Sequence, residues 1–455
     1  MAAQARAAQA AAQAQAAAQA QTQAYTTMDE PQLREELKAL TSRYEAFKQQ
    51  GLKLNMARGK PAPEQLDLSN ALLDLLSSSA RPLDSTGDDA RNYGNLLGVP
   101  EARALMAQIL DVPTANVLVG NNSSLTLMHD TVVRSMLHGV RGSKPWCQLP
   151  SVAFLCPTPG YDRHFAITES LGIKNIPIAM TPQGPDMDAV EHAVQTDASV
   201  KGIWCVPKYS NPQGITYAPQ TVERFAALRP AATDFRIFWD NAYAVHDLAQ
   251  PGDTLLNLKD ACDAAGNPSL YYMFASTSKV TFAGGGISAL ATSEDNLAEV
   301  VRFLGFQSIG ADKVNQLRHV LFLRDLDGVR EQMRKHAAII APKFKVVLNM
   351  LASELASLGI GEWTSPRGGY FISFRGLDGT AKRTVALAKE AGVVLTGAGA
   401  TAPYGNDPHD ADIRIAPTYP SLDELATASE LFCVCARMAA LESLLKDPPP
   451  KSPHR

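Results

Sequence analysis

The stretch Leu270-Tyr271-Tyr272-Met273-Phe274-Ala275-Ser276-Thr277-Ser278-Lys279, followed by Val280-Thr281-Phe282-Ala283-Gly284-Gly285-Gly286, decides how this chain is read. Residues 270–275 form an unbroken apolar and aromatic run, short enough for one buried strand, and the three glycines force a turn after it. A lysine between such elements leaves the strand end in a desolvated cleft, where a neutral amine forms more readily than in water and attacks an aldehyde. By itself Ser-Thr-Ser-Lys is more commonly a solvated turn, so the assignment depends on its surroundings.

Outward from it, Phe235-Arg236-Ile237-Phe238 runs into Trp239-Asp240-Asn241-Ala242-Tyr243. A second short strand thus delivers an acid and, about one helical turn later, a phenol. Ile203-Trp204-Cys205-Val206-Pro207 leads to Asn211-Pro212-Gln213-Gly214, another strand-to-turn junction, and Arg414 sits in the alternating run Asp412-Ile413-Arg414-Ile415-Ala416. Each group also has a plain structural use: Asp240 as a helix cap, Tyr243 as a core tyrosine, Asn211 as a turn residue, Arg414 as a surface ion-pair partner.

Around these junctions helical patterning over 28–50, 100–110 and 125–137 interleaves with β-rich runs at 117, 148–156, 202–206, 237–239, 270–274 and 287–291. Such alternation predicts an α/β fold with a mostly parallel sheet, helices on both faces and ligands at the carboxyl ends of its strands. From 341 onward a long helix, a strand at 369–374, a helix from 382 and a strand at 412–416 predict a smaller α+β lobe. Residues 1–24 are almost entirely Ala and Gln with Arg6 the only charge, and are expected to be a disordered extension. They lack the arginines and serines of a transit peptide and the bulky core of a signal peptide, and Met28 offers an alternative start. The prolines at 448–450 stop a helix, and 443–455 is expected to be a disordered tail.

The chain has 455 residues and a net charge of −4 with no basic block, which argues against nucleic acid as a partner. No apolar run is long enough to cross a bilayer, so no membrane is expected. Six scattered cysteines and nine histidines show no metal-ligand spacing, so no metal is expected and the thiols fit a reducing cytoplasm. Gly284-Gly285-Gly286 and Gly397-Ala398-Gly399 lack the spacing of nucleotide loops.

The order Asn211, Asp240 with Tyr243, Lys279, Arg414 resembles that of the fold-type I (class I/II) aminotransferases, which depend on pyridoxal 5'-phosphate (PLP). Further motifs run 54-LNMARGKP-61, 93-YGN-95, 120-GNNSS-124, 159-PGYDRHF-165 and 310-GADKVNQLRH-319. They are similar to subgroup Ic of the bacterial aspartate aminotransferases, and the likeness extends over about residues 54–437.

This resemblance implies a seven-stranded, mostly parallel sheet in a large PLP-binding domain (71–325), with a small domain (326–442) that residues 25–70 rejoin. It implies transamination of aspartate and 2-oxoglutarate to oxaloacetate and glutamate, by a ping-pong route through a Schiff base on Lys279, in a cytoplasmic homodimer with shared active sites. Asp240 is expected to face the pyridine nitrogen, Tyr243 and Asn211 the ring's phenolic oxygen, and Tyr161 the ring plane. Ser123, Ser124 and Ser276 are expected at the phosphate, joined by Tyr93 from the neighbouring subunit. Arg414 and the Gly59 backbone are expected at the substrate α-carboxylate, where Asn211 also contributes. Lys313, contributed by the neighbouring subunit, leads as the second cation of a dicarboxylate site, with Arg58 and Arg163 behind it.

The chain departs from the common family pattern at one place: Ile287 stands eight residues after the lysine, where an arginine usually neutralises the phosphate. Alternatives on the same scaffold are alanine or aromatic transamination, a PLP-dependent lyase or decarboxylase, and a non-catalytic regulatory protein. The last needs a DNA-binding segment, of which neither end shows the patterning.

Overall fold

The computed structural model describes residues 24–446. The expected extension at 1–24 therefore lies almost wholly outside the described residues, as does the tail beyond residue 446. Residues 443–446, expected in that tail, are the last turn of the helix Leu422–Lys446.

Its centre is an eight-stranded sheet. In spatial order the strands are Val117–Val119, Ser288–Ala291, Tyr271–Ser276, Arg236–Asp240, Val200–Cys205, Ala153–Thr158, Lys174–Thr181 and Gly184–Pro185. The middle five pair in parallel, and antiparallel strands close both edges. The count exceeds the expected seven by the two-residue edge strand Gly184–Pro185, which is too short to leave a sequence signal. Lys174–Thr181 was also absent from the sequence reading, because Pro177 interrupts it and its exposed and buried positions mix.

Continuous apolar runs make the central strands because both faces of the sheet are covered. Ile203, Cys205, Ile237, Trp239, Tyr271 and Met273 enter one core, while their neighbours Trp204, Phe238, Tyr272 and Phe274 enter another on the opposite face. With all five residues of Arg236–Asp240 buried, the strand ends as a rigid platform for Asp240.

A third core belongs to the smaller lobe. The helix Glu30–Gln49 starts at Asp29, whose carboxylate accepts from Gln32 N at 2.9 Å while Gln32 Oε1 accepts from Asp29 N at 2.9 Å. Its Leu33, Leu40, Tyr44 and Phe47 pack with Val347, Leu351, Leu431 and Phe432. The long helix runs Leu326–Leu355 and begins well before residue 341, where the sequence placed it. Pro342 lies inside it, and a proline lacks the N–H and crowds the preceding turn, so periodicity broke there although packing carries the helix through.

Gly361–Trp363, Ile372–Gly376 and Asp412–Ile415 form an antiparallel sheet in which Ser373 pairs with Arg414. Leu54–Asn55 pairs in parallel with Val393–Val394, tying the N-terminal segment to this lobe. Among the described residues no helix is long and apolar enough to cross a membrane, and no group of three or more His, Cys, Asp or Glu side chains is placed to hold a metal ion.

Candidate active site

A cavity of about 600 Å³ opens where the large sheet's carboxyl ends meet the smaller lobe. Size does not single it out, since a cavity of about 840 Å³ lies elsewhere without any of the expected residues. Its chemistry does. Gly59, Ser123, Ser124, Tyr161, Asn211, Asp240, Tyr243, Ser276, Lys279 and Arg414 all line it, together with Arg58 and Arg163.

Asp240 and Ser276 are the last residues of adjacent strands, and Lys279 follows in the turn. Burial lowers the Lys279 pKa, and the Asp240 charge opposes that only in part. Part of the residue still faces the open cavity. Its Nζ lies 5.0 Å from the Tyr243 ring centre and 5.7 Å from that of Tyr370. Behind it Gln65 Nε2 donates to Tyr370 Oη at 3.0 Å and lies 3.2 Å from His336 Nδ1, and His336 Nε2 lies 3.0 Å from the carbonyl of Val280. Burial lowers the His336 pKa, so a neutral ring accepts from Gln65 and donates to Val280, anchoring the lysine turn.

Asp240 Oδ2 lies 3.0 Å from His164 Nε2, whose ring stacks on Trp204 at 4.6 Å. Its other oxygen, Oδ1, is buried and has no partner. An uncompensated buried carboxylate oxygen is costly, so this site is built for a donor that the chain itself does not provide. A protonated ring nitrogen meets that demand, and the residues present fit PLP.

Tyr161 ends the approach to the helix Asp162–Ser170, meets the His164 ring edge-on at 4.9 Å, and has its pKa pushed up to about 12 by burial. Burial also raises the Tyr243 pKa well above its ordinary value, keeping a phenol that donates. Ser123 caps the helix Ser124–His138 with its hydroxyl unused in the cap, so backbone amides and hydroxyls gather at a helix N-terminus. Ser276 Oγ donates to Ser278 Oγ at 3.1 Å, and Ser278 Oγ to the Asn122 carbonyl at 3.2 Å. Ile287 is buried in the core, while Ser288 Oγ is spent on the Asn121 carbonyl at 2.7 Å. Neither residue replaces the missing arginine's charge.

Arg414 Nη1 donates to Asp162 Oδ1 at 3.0 Å and to Asn211 Oδ1 at 3.2 Å, and Nε lies 3.4 Å from Thr396 Oγ1. With its oxygen committed to the arginine, Asn211 has its amide nitrogen left to donate. The guanidinium also lies over Phe371 at 4.9 Å. A Cβ on Gly59 would come within 2.5 Å of that ring, so the glycine is required by packing.

Tyr93 and Lys313 do not line the cavity. Tyr93 is 82% exposed. Lys313, the first residue of the helix Lys313–Leu323, is buried, and its Nζ donates to the carbonyl of Gly94 at 2.9 Å, in the loop that carries Tyr93. The sequence reading missed Asp162, His164, Tyr370, Phe371 and Thr396 as site residues. Only His164 left a local signal, three residues after Tyr161 on one helix face.

The family model described as aspartate amino-transferase matches residues 28–447. A protein of Mycolicibacterium smegmatis named only as an aminotransferase is 52% identical over 406 residues, covering 89% of this chain and 95% of that protein. An aspartate aminotransferase of Corynebacterium glutamicum is 45% identical over 401 residues, covering 88% and 92%. The crystal structure of an aspartate transaminase from Corynebacterium glutamicum superposes with a TM-score of 0.90 at 43% identity, covering 92% of this chain and 98% of that one.

Proposed function

The chain belongs to the aspartate aminotransferase family, and on that premise we propose that it transfers the amino group of aspartate to 2-oxoglutarate with PLP as cofactor. The products are oxaloacetate and glutamate. The observation that carries this reading is the unpartnered Asp240 Oδ1 in the same cavity as a desolvated lysine and a carboxylate-binding arginine.

When bound, PLP withdraws electrons from the bonds at the amino acid's Cα. Asp240 keeps the ring nitrogen protonated, with His164 fixing the carboxylate from behind. Tyr243 and the Asn211 amide would donate to the phenolic oxygen, and Tyr161 would cover the ring. Ser123, Ser124 and Ser276 hold the phosphate together with the amides at the start of the helix Ser124–His138. Lys279 carries the cofactor between turnovers. Once released it would take the proton from the substrate Cα as a general base and deliver it as an acid to C4' of PLP, a task helped by a lowered pKa.

Arg414 clamps the α-carboxylate with its planar fork, beside the Gly59 backbone. For the second carboxylate, Arg58 and Arg163 line the cavity and hold no ion pair among the described residues. They lie at the cavity within one subunit, whereas there the Lys313 amine is engaged at Gly94. The exposed Tyr93 loop supports a homodimer in which each subunit completes its partner's phosphate site. Six free cysteines, five of them buried, support a cytoplasmic protein. Alanine or aromatic transamination and lyase chemistry are not favoured, since the two relatives from Corynebacterium glutamicum are named as aspartate enzymes.

Purified protein mixed with PLP, aspartate and 2-oxoglutarate tests the reading. Oxaloacetate should accumulate as the cofactor absorbance cycles. A cofactor spectrum unmoved by aspartate but shifted by alanine or an aromatic amino acid would replace the substrate assignment.

A further inference from the structure

We propose that Asp162 is an internal competitor for Arg414, and that substrate carboxylates enter the site by displacing it. The inference rests on the reading of Arg414 as the carboxylate clamp.

A guanidinium has five N–H groups: one on Nε and two on each terminal nitrogen. Nη1 spends both of its hydrogens, on Asp162 Oδ1 at 3.0 Å and Asn211 Oδ1 at 3.2 Å, and Nε lies 3.4 Å from Thr396 Oγ1. A carboxylate binds an arginine best through two parallel bonds from two nitrogens, and end-on binding through Nη1 and Nη2 requires one of the two Nη1 acceptors to give way.

Asp162 is the acceptor suited to leave. Asn211 is buried and neutral, whereas the Asp162 side chain keeps 34% of its surface exposed and carries a full charge. A second carboxylate arriving at the same nitrogen repels the first, so substrate itself loosens the pair. Asp162 is also the first residue of the helix Asp162–Ser170, where the helix dipole favours an anion and water can take over the released oxygens.

The device suits a double-displacement reaction. One arginine must bind an amino acid, release an oxo acid and bind another, and a carboxylate that returns as the product leaves lowers the affinity for every ligand alike. A buttress that merely orients Arg414 has the opposite signature, because removing it weakens binding.

Calorimetric titration of the cofactor-loaded enzyme with maleate, a dicarboxylate with no amino group to transfer, separates the two. Asp162→Asn keeps the size and removes the charge. It should tighten maleate about fivefold, the scale expected for losing a partly exposed ion pair. The KM values for aspartate and 2-oxoglutarate should fall together, and Asp162→Ser should change them in the same direction. Unchanged or weaker binding in both variants would overturn the proposal. Arg414→Ala is the control for the underlying reading. If maleate binds that variant as well as the wild type, the clamp assignment fails; if maleate is lost there while Asp162→Asn is unchanged or weaker, only the competitor fails.

Discussion

His164 Nε2 and Asp240 Oδ2 lie 3.0 Å apart beneath the cavity, and the carboxylate's other oxygen is buried without a partner. One half of Asp240 is therefore held rigid by the protein, while the other half is the one we propose for a cofactor nitrogen. His164→Leu removes the fixed half. A hydrogen bond to a charged group contributes about 1.5–3 kcal/mol, so cofactor affinity and kcat/KM should each drop about ten- to a hundredfold. Titration of the apo-enzyme with PLP and steady-state kinetics measure both, and an unchanged PLP affinity would remove the positioning role.

Lys279→Ala should abolish turnover, and undiminished activity would remove the central assignment. A second readout is stability without cofactor. Burial holds the Lys279 pKa below its ordinary 10.5, so between the lowered value and 10.5 the unfolded chain binds a proton that the folded chain does not. Stability from this group therefore rises with pH across that window, and below it the full cost of burying a charge is present. Lys279→Met should make the apo-protein more stable near neutral pH and flatten this part of its pH profile, as denaturant melts at several pH values would record.

Lys313 and Tyr93 should behave as one unit. Lys313→Ala frees the Gly94 carbonyl and loosens the loop, so it should weaken PLP binding as Tyr93→Ala does and affect aspartate and alanine equally. Arg163→Ala should instead raise the KM for aspartate and leave that for alanine little changed. A selective loss of dicarboxylates in Lys313→Ala would return the second-cation role to Lys313.

Gly59→Ala places a Cβ 2.5 Å from the Phe371 ring, which lies 4.9 Å from the Arg414 guanidinium. The ring must shift and the arginine with it. Overpacking of this kind costs about 1–3 kcal/mol, so a lower melting temperature and a raised KM for every carboxylate substrate are expected. An unaltered KM in thermal and kinetic assays would show that the ring moves without the arginine.

Much of the large sheet was legible because its central strands are buried on both faces and so read as continuous apolar runs ending in polar turns. That is how 235–240 and 270–279 declared themselves. Lys174–Thr181 stayed hidden because it mixes exposed and buried positions, and the helix through Pro342 because a local rule was overridden by packing.

By itself the sequence determined the alternation of strands and helices, and the order of the polar groups that follow the strands. It also placed Ile287 eight residues after Lys279, where the family resemblance implies an arginine, since all of these are read along the chain. Only the tertiary structure decided which groups face each other. Arg414 meets Asp162 across 252 residues, His164 meets Asp240 across 76, and Lys313 turns to Gly94 across 219. Local periodicity says which face of an element a side chain takes, whereas its partner there is set by how the sheet, the helices and the smaller lobe pack around one cavity.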